Sequence, residues 1–238
     1  AVKIDDLQDF SKSNKIKSLA LCDTSNLCGA LEFAEKISKI GTQPIIGTQI
    51  NFKFGDCIGL LPLFALNEEG YKRIIKLSSL SFLENDELSE PHIDFKDLLE
   101  DNSGVAIFSG TIFGLFGELF NKGKFTDIIE LYKRLKLDFG NRFYIEIQRH
   151  GDQNELGFEK FNLNKSLELE IPIIATNEVF YLDKDMHEAH DALICIGNKT
   201  YVNDKSRKKL SDEHYFKTNL EMSRSEERRV GKECRSRW

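Results

Sequence analysis

Five polar stretches stand where short apolar runs give way to other elements: Asp23-Thr24, Gln49, Ser109-Gly110, Gln148 to His150, and Asn177-Glu178. Acidic and histidine side chains gathered at successive strand ends can hold divalent metals or engage phosphate. Asp23 closes the apolar run "SLALC" and opens a helix, a corner suited to such a site. The residues after it, Thr24 and Ser25, are poor metal ligands beside His or carboxylate. His187 and His190 stand at i and i+3 on an expected helix, a spacing that can grip a metal, but no third ligand accompanies them. The same residues have plainer roles. Asp23 and Glu178 can brace turns through side-chain-to-backbone bonds, His150 can be a structural loop residue, and His187 and His190 can be capping or solvated groups. His92 and His214 lie in polar stretches and carry no signal of their own.

Alternating strands and helices must position these residues, and the periodicity supplies them. Ile4, Leu7 and Phe10 mark a helix over 4–15, and 18–23 reads as a strand. Asn26 is expected to cap a helix whose stripe is Leu27, Ala30, Leu31, Ala34 and Ile37, ended by Gly41. Residues 43–54 and 58–67 read as strands, and 68–82 as a helix. A short helix in "DFKDLLE", a buried strand over 104–110 and helices over 113–121 and 124–138 follow. Residues 141–151 form a strand alternating Phe143, Ile145 and Ile147 against Tyr144, Glu146 and Gln148. A helix over 155–169, a strand over 171–177 and a helix over 185–196 complete the pattern. Phe108, Phe113, Phe116 and Phe120 read as core rather than as a cofactor box.

Such alternation implies parallel strands joined by right-handed crossovers. No GxGxxG or GxxxxGKS follows any strand, which removes the usual reasons to choose a nucleotide-binding sheet over a barrel. A chain of 238 residues with 40% hydrophobic and 30% charged residues can build its own core without staples. The net charge of −6 argues against a nucleic-acid groove by bulk electrostatics. Cys22, Cys28, Cys57, Cys195 and Cys234 form no CxxC pair, so a zinc ribbon or thioredoxin-like site is unsupported and reduced thiols are expected. No signal peptide or membrane span is visible, and the cytoplasm is the expected location.

The last stretch departs in composition. Arg224 to Trp238 holds 5 Arg and 1 Lys, against 5 Arg and 22 Lys in everything before it. We read 223–238 as a non-native tail. Without residues 224–238, 27 basic groups face 36 acidic ones, and the domain carries −9. The alternative, a basic arm for nucleic acid, sits poorly with its mixed Glu-Glu-Arg-Arg text.

Seven segments in order resemble the PHP (polymerase and histidinol phosphatase) domain at the start of bacterial DNA polymerase III alpha subunits. They are "LALCDTSNLCGALEFAEK", "GTQPIIGTQINF", "LFALNEEGYKRIIKLSSLSFLE", "GVAIFSGTIFGLFGELF", "RFYIEIQRHG", "IPIIATNEVFYLDKDMHEAHDALICIGNKTYVND" and "HYFKTNLEM". The resemblance spans residues 1–222 and stops where the odd tail starts. It implies an α/β fold, a distorted seven-stranded (β/α) TIM-like barrel of the PHP type, here with its first strand missing.

Metal-binding members of that family hold a cluster of cations with His, Asp and Glu at strand ends and hydrolyse phosphoesters. Set against that pattern, Asp23 is kept, but Thr24 and Gln49 stand where His and Glu are expected. His150 falls on a ligand position, Glu178 replaces an Asp, and Phe180 replaces a His. The His-x-His pair that opens the domain would precede Ala1. The resemblance therefore implies a degenerate site, with no catalytic or cofactor-binding residue in this chain and with Asp23, Thr24, Gln49, His150, Glu178 and Phe180 as vestigial metal-site positions. It further implies a scaffold role, with docking of an epsilon-type proofreading exonuclease and of other replicase subunits. DNA and magnesium would be engaged by a polymerase region outside this chain, and no membrane is involved. The alternative is that the domain is itself a metal-dependent 3′–5′ exonuclease or phosphoesterase.

Overall fold

The structure is a computed structural model, described for residues 2–85, 89–204, 206–207 and 209–230, the side chains of Gln153 and 225–230 excepted. Cys234 and the rest of 231–238, half of the anomalous tail, lie outside these residues. The chain opens with α1 (Ile4–Ser13), β1 (Ser18–Thr24) and α2 (Ala30–Lys39). It continues through β2 (Gln43–Phe54), β3 (Cys57–Ala65), α3 (Glu68–Leu83), β4 (Ile93–Asp94) and α4 (Phe95–Glu100). Then come β5 (Val105–Phe108), α5 (Leu115–Asn121), α6 (Phe125–Phe139), β6 (Phe143–Ile147), α7 (Gln153–Leu169) and β7 (Ile173–Ala175). The last described elements are α8 (His187–Gly197) and α9 (Asn219–Val230).

The strands form one curled sheet in the order β1-β2-β3-β5-β6-β7, with β4 paired to the far half of β2. Among the described residues β1 and β7 are its edges, so the sheet is a curled half-barrel. The expectation of uniformly parallel strands is corrected: β3 runs antiparallel to both β2 and β5. The reason is a two-residue hairpin. Gly55 takes φ +60, Phe54 pairs Cys57, and the chain reverses without a crossover helix. Gln49 is accordingly not at a strand end, because β2 runs on to Phe54 against β3 and β4.

Alternation along the strands separates two apolar layers. Leu63, Ile107, Phe143 and Ile145 join Ile74, Leu77, Leu115, Leu131 and Leu135 of the helices in the main core. The intervening residues Phe64, Ala106 and Phe108 face the other side, with Ile45, Tyr144 and Ile174 beside them. Phe116 is fully buried, but Phe113 is 57% exposed, because it lies in the turn before α5 rather than on its packed face. Cys57 and Cys195 are buried and Cys28 is exposed, all as free thiols.

One close approach fixes α3 against the start of β5. A Cβ added at Gly70 would lie 1.8 Å from the Gly104 carbonyl oxygen, and Gly104 itself takes φ +67. Gly70→Ala is expected to cost about 1–3 kcal/mol through backbone displacement. Thermal unfolding followed by circular dichroism reads this as a lowered midpoint.

Candidate functional site

The inner face of the curled sheet borders a cavity of about 1540 Å³. Asp23, Thr24, Gln49, His150, Glu178 and Phe180 all line it, so the fold does bring the six positions singled out in the sequence to one place. Register explains the first three. Asp23 pairs Thr48 and Thr24 pairs Gln49 across β1 and β2. The Gln49 amide donates to the Thr24 hydroxyl at 2.7 Å, and the Thr48 hydroxyl donates to the Asp23 carbonyl at 2.7 Å.

The turn after β1 is held by Asn26, whose side-chain oxygen accepts from the Cys28 N–H and whose amide donates to the Thr24 carbonyl. Asn26 is thus a turn former and not the helix cap expected, since α2 begins only at Ala30. The Asp23 carboxyl borders the cavity, where burial raises its pKa.

His150 is set by the start of α7. Glu155 sits at the third position of that helix and reciprocates with Asp152 in a capping box. Its carboxylate also accepts the backbone N–H groups of His150, Gly151 and Asp152 at 3.0–3.2 Å, and faces His150 Nδ1 at 3.2 Å. A carboxylate there favours the Nδ1–H tautomer, which leaves Nε2 as an acceptor. That Nε2 is buried without a hydrogen-bond partner in the structure. Burial pushes the Glu155 pKa upward, but the His150 ring and these backbone donors outweigh it, and the net shift is downward.

His214, which carries no signal of its own in the sequence, is 5% exposed and stacks on His150 with ring centroids 4.0 Å apart and planes 3° from parallel. Its Nδ1 meets the Glu178 carbonyl at 3.1 Å. Burial and the neighbouring His150 hold its pKa down at about 4. Phe180 stacks against His190 at 5.3 Å and His214 at 5.2 Å, so it fills space between imidazoles. His187 turns away to the Leu210 carbonyl, and does not converge with His190 on a shared ligand. His92 meets the Glu90 carbonyl two residues away.

Glu146 is the other residue missed from the sequence. It is 4% exposed, with one carboxyl oxygen accepting from Thr176 and from Gln148, and the other buried and unpartnered. Burial raises its pKa above the ordinary 4.5, against the lowering effect of those bonds. Burial, then Glu146 and Asp23, push the nearby Cys22 thiol upward as well. A raised carboxyl pKa means that ionisation of Glu146 weakens the fold as pH rises above 4.5, until its folded pKa is passed. Glu146→Gln is therefore expected to match the parent near pH 4 and to exceed it in stability toward neutral pH. Urea unfolding at a series of pH values checks this. Among the described residues, no group of three or more His, Cys, Asp or Glu is placed to hold a metal ion.

This arrangement, a curled α/β sheet with polar strand ends around an inner cavity, has known relatives. A profile described as the PHP domain matches residues 1–150, and the chain belongs to that family. Three curated relatives are each named DNA polymerase III subunit alpha. That of Rickettsia felis is 37% identical over 223 residues, covering 93% of this chain and 18% of the relative. Those of Caulobacter vibrioides and Borreliella burgdorferi are 32% and 34% identical, each covering 93% of this chain and 20% of the relative. The chain thus spans about a fifth of the length of the relatives it matches. A solved Bifidobacterium adolescentis chain assigned as a metal-dependent phosphoesterase is 13% identical, with TM-score 0.33 over 96% of this chain and 91% of that one. That likeness is too slight to bear on function. Among the described residues, no helix is long and apolar enough to cross a membrane.

Proposed function

We propose that this chain is the PHP domain of a DNA polymerase III alpha polypeptide, and that it serves as a scaffold and docking module for an epsilon-type proofreading exonuclease. The domain is residues 1–222, with 223–238 foreign to it, and it works in the cytoplasm. Nucleotide addition and the magnesium it uses belong to a polymerase region outside this chain, as do the contacts with DNA.

The observation that carries this reading is the Thr24–Gln49 hydrogen bond. Two positions where metal-binding relatives need His and Glu hold neutral side chains that satisfy each other. A cluster of divalent cations needs anionic ligands to offset its charge. Phe180, packed on two imidazoles, offers no ligand atom where the pattern needs a third. The residues present do not fit such a cluster. The half-barrel supports the finer fold as well: among the described residues β1 and β7 are edges beside the inner cavity, where one more strand would complete a distorted barrel of the PHP type.

Sedimentation of the full-length polypeptide with an epsilon-type exonuclease tests the docking role. A stable complex at micromolar concentration is expected, and two independent boundaries would overturn it.

A further inference from the structure

The segment after α8 reaches from the β7 side of the half-barrel to the β1 side. Residues 210–217 run beside 180–182 in parallel, with Tyr181 bridging Tyr215. The Phe180 N–H donates to the His214 carbonyl and the Phe216 N–H to the Tyr181 carbonyl, each at 3.0 Å. Leu210, His214 and Phe216 border the inner cavity from this segment, and Ile4 and Leu7 of α1 border it from the other side.

Different forces hold the segment on its two sides. Toward β7 they are polar. The Asn177 amide donates to the Tyr215 carbonyl at 2.8 Å, and the Tyr181 hydroxyl to the Ser211 carbonyl at 3.2 Å. Lys184 pairs with Asp212 and Glu213 at 2.9 and 3.0 Å. Toward α1 the contact is apolar. The Phe216 ring meets the Phe10 ring edge-on with centroids 4.7 Å apart, and Phe216 and Leu182 pack against the cluster of Leu7, Phe33 and Ile37. Both Phe10 and Phe216 are only half-buried. Parting them exposes little apolar surface and breaks none of these polar bonds, so it costs less than unfolding the domain.

We propose that residues 210–217 are a strap that closes the inner cavity, hinged on the segment after β7 and latched to α1 by Phe216. Release of the latch admits solutes to the strand ends while the main core stays folded. The strap is independent of the docking role.

Cys22 reports the latch. It borders the cavity from β1, whereas Cys57 is fully buried in the main core and Cys28 is exposed. The full-length polypeptide is alkylated with iodoacetamide, and each cysteine is followed by peptide mass mapping. Reaction is expected to be fast at Cys28, slow at Cys22 and slowest at Cys57. Phe216→Ala and Phe10→Ala remove the latch from either side, and each is expected to speed Cys22 several-fold with Cys57 unchanged. An unchanged Cys22 rate in either folded variant would overturn the proposal. So would a parent Cys22 that reacts as fast as Cys28, because the cavity would then stand open. A rise at Cys57 matching that at Cys22 would overturn it too, because the whole domain would then be loosening.

Discussion

Phe143→Ala is expected to destabilise the domain by about 3–5 kcal/mol, with a fall in the unfolding midpoint of roughly 6–20 °C. Phe143 is fully buried at the start of β6, between β5 and β7 in the sheet. Its ring lies 5.7 Å from that of Tyr132, which lies 4.7 Å from Phe116 and donates its hydroxyl to Asn162 at 3.0 Å. Truncation removes one wall of this stack and leaves a void that α6, pinned by that hydrogen bond, cannot collapse to fill. The effect reaches the site, because pairing of Ile107 with Phe143 and of Phe108 with Tyr144 sets where β6 delivers Glu146. Leu167→Ala, at a side chain 80% exposed on α7, is expected to change stability by no more than about 0.5 kcal/mol. Urea unfolding of the two variants checks both values.

Glu155→Ala is expected to cost on the order of 3 kcal/mol and to release the loop that carries His150. Three backbone N–H groups and the His150 ring converge on this carboxylate, and alanine leaves them without it in a half-buried turn. Glu155→Gln keeps the shape and part of the bonding, and separates charge from geometry. Because the folded pKa of Glu155 lies below the ordinary 4.5, its contribution is complete above that value and is lost as pH falls through the folded pKa. The parent should therefore lose stability below about pH 4.5 more steeply than Glu155→Gln does. This sign is opposite to that at Glu146, so the two variants together separate the acidic limb from the neutral one. The loss of the 4.0 Å His150–His214 stack in Glu155→Ala would appear in the imidazole proton shifts.

Much of the element order was legible because it rests on local periodicity. The alternation of Phe143 and Ile145 against Tyr144 and Glu146 does divide the two faces of β6, and the six positions singled out, five polar and Phe180, do meet at one cavity. Strand direction was not legible from alternation alone. The Gly55-Asp56 turn between two apolar runs is a hairpin signal, and weighing it would have reversed β3. The capping box in "DQNE", Asp152 to Glu155, was likewise readable and would have tied Glu155 to the His150 loop. His214 was beyond reach. It comes to His150 from 64 positions downstream, through packing of the segment after α8 across the end of β7, where Tyr181 bridges Tyr215. Nothing in the local pattern of "DEHYF" encodes that contact. Glu146 looked like the polar half of an alternating strand, and only the curl of the sheet makes its face an interior.

The most direct test of the central claim is the metal content of the full-length polypeptide after dialysis against manganese or zinc, measured beside 3′–5′ exonuclease activity. The chemistry of Thr24, Gln49 and Phe180 leads us to expect substoichiometric metal and no exonuclease activity attributable to this domain. Stoichiometric metal, together with exonuclease activity that disappears in His150→Ala, would contradict the account.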